Sequence, residues 1–260
     1  MLVLGIDPAP VKKSVVFDGV KFREFTPYNL KRFIDKISFR HKSIFIAWDA
    51  PLSAAIDKDN FNLYERRIEK YFNRNNKKIR DFFIPKGIST LGYASCSHWT
   101  ISQYIFGYPN LNPLLNSSHT YQLVQHTRDI NFVDGLQITE THPALALWIV
   151  LKELLAEHPL FVETWQYKGV DAKDKSNKKR REIIIDTLFV IPFVADEIDL
   201  SLYKDELLDS DDKLDAFFCW LLASKLLKKN RNVTIFGDNK VGSFLLAYDK
   251  SIYEYFQNLK

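Results

Sequence analysis

Several residue types that announce particular functions are scarce in this chain. Its 260 residues include two cysteines, one methionine and nine glycines. Cys96 and Cys219 lie far apart and form neither a CxxC pair nor a disulfide framework, which fits a reducing interior. Cys219, inside AFFCWLLA, reads as a small packed hydrophobe. Cys96, His98, His119 and His126 match no zinc-ligand spacing. After Asp7 the chain reads PAPVKKS, without glycine. That counts against the ATPases and sugar kinases, whose glycine-rich loops let backbone N–H groups approach phosphates. The longest apolar runs, such as ALALWIVL, are too short to span a bilayer. LVLGID is too short for a targeting signal and runs into a strand-and-turn pattern. The expectation is a soluble, cytoplasmic protein without a membrane partner. With 36 basic and 32 acidic residues the net charge is +4, which selects no partner by itself.

What is present is a large apolar fraction, 46%, enough for a substantial core. LVLGID, SVVF and VKFREF predict three strands, the last two joined at Asp18-Gly19 by a tight two-residue hairpin turn. Pro27 opens a helix with Leu30, Phe33, Ile34 and Ile37 on one face. SIFIAWD is apolar throughout, as a central strand covered on both faces would be. Residues 54–135 are less regular and read as a mostly helical insertion or cap, with LYERRIEKYFNR as one helix. GLQITE is the next strand, and Pro143 opens a well-buried helix through ALALWIVLKELL. Lys168 to Arg181 reads as a charged loop entering the helix REIIIDTLF. A last helix starts near Asp211 or Asp212, and NVTIFG and GSFLLAY suggest a closing hairpin. Together these predict a single α/β domain over residues 1–260.

Acidic residues stand at the ends of the apolar strands and the start of the last helix. They are Asp7 in LVLGIDP, Asp49 in IFIAWDAPLS, Glu140 in LQITETHP, and Asp211, Asp212 and Asp215 in DSDDKLDAFF. An acid ending a buried strand is costly unless its charge is offset. Each alone has a plain structural explanation: Asp211 as an N-cap, Asp18 as a turn former. Several such acids spread along the chain point instead to a shared partner. Carboxylates and water are the ligands that Mg²⁺ and Mn²⁺ prefer. At 100° per residue, Asp215 falls between Asp211 and Asp212 around the helix axis, flanking the face formed by Leu214, Phe217, Phe218 and Leu221. They can therefore point toward the carboxyl ends of the strands, where ligands of open α/β sheets bind.

GID with Asp7, AWDAPLS with Asp49, ETHPALALW with Glu140 and DDKLDAFFCW with Asp212 and Asp215 resemble, in order and rough spacing, the predicted ribonuclease-H-like nucleases of domain-of-unknown-function family 429. The resemblance implies a ribonuclease-H-like mixed sheet: an antiparallel hairpin meander followed by parallel strands, flanked by helices. It places Asp7 on the first strand, Asp49 at the end of the fourth, Glu140 after the fifth, and Asp212 and Asp215 on the closing helix. Lys168 and Arg180 or Arg181 look like counterparts of the basic residues that follow the Glu motif in that family.

The chemistry implied is hydrolysis of phosphodiesters in DNA or RNA. Two divalent ions, Mg²⁺ or Mn²⁺, roughly 3.5–4 Å apart could activate water and stabilise the leaving oxyanion. Asp7, Asp49, Glu140 and Asp215 are the candidate metal ligands; together with Asp212 they are the candidate catalytic set. Lys168, Lys178, Lys179, Arg180 and Arg181 are candidate contacts to the phosphate backbone. Arg66, Arg67, Arg74, Lys77, Lys78 and Arg80 form a second basic cluster. Tyr93, Trp99, Tyr104, Phe106 and Tyr108 could stack bases, although core packing accounts for most of them. The competing function is a nucleic-acid-binding or partner-binding module that keeps the fold without cutting.

Overall fold

A computed structural model describes residues 1–52, 55–56, 63–64, 66, 68–69, 85–88, 96–107, 121–169, 176–238 and 242–257. Three strands open the chain: β1 (Leu2–Asp7), β2 (Ser14–Phe17) and β3 (Phe22–Phe25), paired antiparallel as a meander. The turn between β2 and β3 differs from the two-residue turn expected at Asp18-Gly19. Phe17 pairs with Phe22, so four residues form the loop. Asp18 Oδ1 accepts from the N–H groups of Val20 (3.0 Å) and Lys21 (2.9 Å), a side-chain turn that needs positive φ only at Gly19.

Helix α1 (Pro27–Arg40) follows, with Thr26 as its N-cap and Leu30, Ile34 and Ile37 buried. It leads into β4 (Ser43–Trp48), parallel to β1. β5 (Ala55–Ile56) and β6 (Leu63–Tyr64) make a separate two-stranded sheet, so Leu63 and Tyr64 are extended, not the helix start expected there. Further along that expected helix Ile68 and Glu69 are helical and Arg66 is not, and its other residues lie outside the described residues. α2 (Cys96–Phe106) precedes β7 (Tyr121–Leu123), which pairs in parallel with β8 (Gly135–Glu140). β7 thus joins the main sheet from within the stretch read as an insertion.

The six-stranded sheet has the order β3-β2-β1-β4-β8-β7, antiparallel on one side and parallel from β1 onward. The fold is therefore α/β with a mixed sheet flanked by helices. Beyond β8 come α3 (Pro143–Leu155), α4 (Ser176–Val190), α5 (Pro192–Ala195), α6 (Lys204–Asp209) and α7 (Asp211–Leu227). The antiparallel pair β9 (Val233–Asp238) and β10 (Gly242–Ala247) precedes α8 (Lys250–Gln257).

Period-two alternation assigns the two faces of the sheet. Ile44, Ile46 and Trp48 of β4 pack with Leu4 and Ile6 of β1 against α1 and α2. Phe45 and Ala47 join the opposite core, built on α3, α4, α7 and the β9–β10 pair. Gly5 belongs to the second face, and α7 lies directly on it: a Cβ there would stand 2.0 Å from the Ala216 carbonyl oxygen. No helix among the described residues is long and apolar enough to cross a membrane.

Candidate active site

The carboxyl ends of β1 and β4 and the first turns of α7 meet at one edge of the sheet. The Asp49 N–H donates to the Ile6 carbonyl at 3.0 Å, so the chain stays on the sheet one residue past β4 and Asp49 lies beside Asp7. Ser210 is the N-cap of α7, its side chain accepting from the Lys213 N–H. The cap position is thus taken, and Asp211 and Asp212 fall inside the first turn. One turn on, Asp215 is 1% exposed and points back to the strand ends. A cleft of about 640 Å³ opens here, lined by Asp7, Asp49, Asp211, Asp212, Lys12 and Lys168, with residues 8–11 at its side.

Asp7, Asp49 and Asp215 therefore converge, and Lys168 joins them. Its ammonium forms an ion pair with Asp215 Oδ2 and lies 3.9 Å from Asp49 Oδ2. The Tyr167 hydroxyl donates to Asp215 Oδ1 at 2.5 Å. Asp215 Oδ2 is buried against the Lys168 ammonium, a charged neighbour of opposite sign. Three carboxylates with one ammonium leave surplus negative charge in a desolvated place, and their proton affinities respond. Desolvation, then the charges of Asp49 and Asp215, push Asp7 well above the usual carboxylate range. Burial pushes Asp49 up to about 8 despite the nearby Lys168. Asp215 is raised by burial, against the opposing pull of Lys168 and Tyr167. Burial disfavours the charge on Lys168, but the surrounding oxygens, Asp215 foremost, more than offset it and hold it protonated well above the ordinary lysine value.

The other acids are placed differently. Asp212 sits at the rim in an ion pair with Lys12 (2.5 Å), and Asp211 Oδ2 accepts from the Gly169 N–H at 3.0 Å. Glu140 ends β8 opposite Trp48 and accepts from the Leu52 N–H at 3.0 Å. Its charge is met by Arg66, whose Nη1 donates to Glu140 Oε2 at 2.7 Å and whose Nε donates to Glu69 Oε1 at 2.7 Å. All three side chains are buried, and the guanidinium lies 5.7 Å from the Phe244 ring centroid. Burial raises Glu140 to about 6, with Arg66 opposing. Arg66, expected in an exposed basic cluster, is instead a buried partner of two acids; Arg67, Arg74, Lys77, Lys78 and Arg80 lie outside the described residues.

The basic stretch also divides. Helix α4 begins at Ser176, so Lys178 to Arg181 occupy its first turns; they are not in a loop. Lys178 and Lys179 are exposed, whereas Arg180 and Arg181 are buried. Arg180 donates to the carbonyls of Leu160 (2.6 Å) and Gln166 (3.2 Å), and Arg181 to those of Leu208 (2.9 Å) and Tyr167 (3.1 Å). Both guanidiniums brace the segment that carries Tyr167 and Lys168. Of the aromatic candidates, Phe106 packs edge-on against Trp48 in the core and Tyr104 is exposed, while Tyr93 and Tyr108 lie outside the described residues. His142, which adjoins the Glu140 motif, caps α3: its Nδ1 accepts from the Leu145 N–H at 3.3 Å.

Tyr167 and the Arg66–Glu140 pairing were missed in the sequence. Neither has a local pattern, because their partners lie 48 and 74 residues away. The buried state of Arg180 and Arg181 did have a signal. They precede Ile184 and Ile185 by four residues, so the helical period extends the apolar face onto them.

Among the described residues, no group of three or more Asp, Glu, His or Cys side chains is arranged to hold a metal ion. The donor chemistry nevertheless suits a hard divalent cation: buried carboxylate oxygens outnumber the single ammonium among them. Comparison of the chain with protein-family models, with curated proteins and with solved structures finds no match.

Proposed function

We propose that this protein is a divalent-metal-dependent nuclease with a ribonuclease-H-like fold, hydrolysing phosphodiester bonds in DNA or RNA. The observation that carries this reading is the convergence of Asp7, Asp49 and Asp215 at the carboxyl ends of β1 and β4, in surplus over a single ammonium. Uncompensated carboxylates of this kind persist where a cation is their partner. The antiparallel meander leading into parallel strands supports the ribonuclease-H-like assignment.

In this reading Asp7, Asp49 and Asp215 hold Mg²⁺ or Mn²⁺, which when bound lowers the pKa of water and neutralises charge on phosphoryl oxygens. The chain's own residues prepare the site. Tyr167 fixes the rotamer of Asp215 through Oδ1, leaving Oδ2 directed into the cluster. Arg66 and the Leu52 N–H fix Glu140 beside Asp49, where its charge adds to the local field. Glu140 acts here as a neighbour of the metal-holding acids, and Asp212 with Lys12 forms the rim where substrate enters. Among the described residues of the basic stretch, Lys178 and Lys179 are exposed and available to a phosphate backbone.

The test is a cleavage panel of single-stranded, double-stranded and branched DNA and RNA, with Mg²⁺, with Mn²⁺ and with chelator. Metal-dependent cutting of at least one substrate is expected. Binding without cutting under every condition would favour the non-cleaving module.

A further inference from the structure

The segment that carries Lys168 is fixed at successive backbone groups. Arg180 binds the Gln166 carbonyl, Arg181 the Tyr167 carbonyl, and Asn177 Nδ2 the Lys168 carbonyl at 2.9 Å, while the Gly169 N–H is held by Asp211. The Tyr167 side chain ends on Asp215. The Lys168 side chain is different. It is 40% exposed and borders the open cleft, although its ammonium is turned inward onto Asp215 Oδ2 and toward Asp49 Oδ2. Rotation of a four-carbon stem would take that ammonium into the cleft without moving the backbone. The oxygens it covers belong to two of the acids that the functional reading gives to the metal. An ammonium and a divalent cation in contact with the same carboxylate oxygens repel each other, so the two compete for them.

Resting on the metal-dependent reading, we infer that Lys168 is a tethered counter-cation. It neutralises Asp49 and Asp215 in the metal-free protein and is displaced into the cleft when a divalent cation binds. The displaced ammonium then faces the space where an anionic phosphate would lie. Two consequences follow from competition for the same oxygens. Metal affinity is weaker than the acids alone would give, and the Lys168 amine becomes more accessible once metal is bound.

The experiment uses the full chain and Mn²⁺ alone as probe. Calorimetric titration compares the wild type with Lys168→Met and with Lys12→Met, which removes a neighbouring ammonium paired to Asp212 instead. In parallel, wild-type lysines are labelled with an amine-reactive reagent with and without saturating Mn²⁺ and quantified by peptide mass spectrometry, with exposed Lys36 as reference. Lys168→Met is expected to bind Mn²⁺ on the order of tenfold more tightly, an ordinary coupling between competing events. Lys12→Met should change affinity much less, and Lys168 labelling should rise severalfold with Mn²⁺. If Mn²⁺ binds the wild type while Lys168 labelling stays constant, or if both variants tighten binding equally, the displacement is wrong and the metal reading survives. If Mn²⁺ binds neither the wild type nor Lys168→Met, both fail together. Should Lys168→Met not fold, the wild-type labelling decides alone.

Discussion

Gly5 of β1 and Ala216 of α7 are in backbone contact, so close that a Cβ on Gly5 would stand 2.0 Å from the Ala216 carbonyl oxygen. This contact sets the register between strand and helix. Asp7 lies two residues beyond Gly5 on the same face of the strand, and Asp215 is the neighbour of Ala216. The close approach that only glycine permits therefore brings two acids, 208 positions apart in sequence by subtraction of their numbers, to one place.

Gly5→Ala should accordingly push α7 away from the sheet. A loss of about 1–3 kcal/mol or more is expected from overpacking against backbone atoms, which cannot rotate aside. Urea unfolding would show a lower midpoint, and a midpoint equal to that of the wild type would mean the helix can shift without strain.

Arg66→Met should be still more damaging, since it leaves Glu69 and Glu140 buried without their guanidinium. Breaking one side of a buried ion pair costs about 3–5 kcal/mol. Adding Glu69→Gln and Glu140→Gln to Arg66→Met should recover part of that stability, because the stranded charges are gone. Thermal melting of the single and triple variants gives the comparison, and no recovery in the triple variant would show that packing of Arg66, not charge, dominates.

The raised carboxylates make stability depend on pH in a defined sense. Burial places Asp49 at about 8 and Glu140 at about 6 in the folded protein, above their unfolded values of 3.8 and 4.5. Between those limits the folded state binds more protons than the unfolded chain, so stability falls as pH rises from about 4 toward 8. Lys168, shifted up, contributes only above the ordinary lysine range and leaves this window unchanged. Without divalent cation, the melting temperature should be lower at pH 8 than at pH 5.5, by roughly 2–4 °C for each kcal/mol involved at this chain size. Mn²⁺ should raise it more at pH 8 than at pH 5.5, because the acids give up protons more readily there. A melting temperature that climbs steadily from pH 5.5 to 8 in chelator would contradict the charge surplus.

The two halves of the basic stretch should separate experimentally. Lys178→Ala with Lys179→Ala removes exposed cations and should weaken nucleic-acid binding while flattening its salt dependence, as fewer counterions are released. Arg180→Ala should instead lower the melting point, because it frees the carbonyls of Leu160 and Gln166. An unchanged salt slope in the lysine pair would leave that surface merely solvated.

Much of the architecture was legible in the sequence because burial leaves a period. LVLGID, SVVF, SIFIAWD and GLQITE each announce a strand, and the acids at or just past the ends of the first, third and fourth could be read as neighbours on a sheet edge. The helix from Pro143 was visible from its all-round apolarity. What stayed hidden was pairing between distant polar groups. Nothing near Arg66 signals Glu140, and nothing near Lys168 signals that its ammonium turns inward onto Asp215 instead of outward to a ligand. The four-residue turn at Asp18 was hidden for a related reason: its shape depends on a side-chain oxygen binding two backbone N–H groups, and the Asp-Gly pair alone does not show that.

Whether the converged carboxylates perform metal-dependent phosphodiester hydrolysis is decided by cleavage rate measured beside thermal melting for Asp7→Asn and Asp215→Asn, with Asp18→Asn as a control in the β2–β3 turn. Each site variant keeps the side-chain shape and removes one charge from a crowded, desolvated cluster. Cleavage should be nearly abolished in both while the melting temperature is retained or raised, and Asp18→Asn should still cut. Full cleavage by Asp7→Asn would contradict it, and equal loss of activity in all three would show that the assay follows stability and leave the site without support.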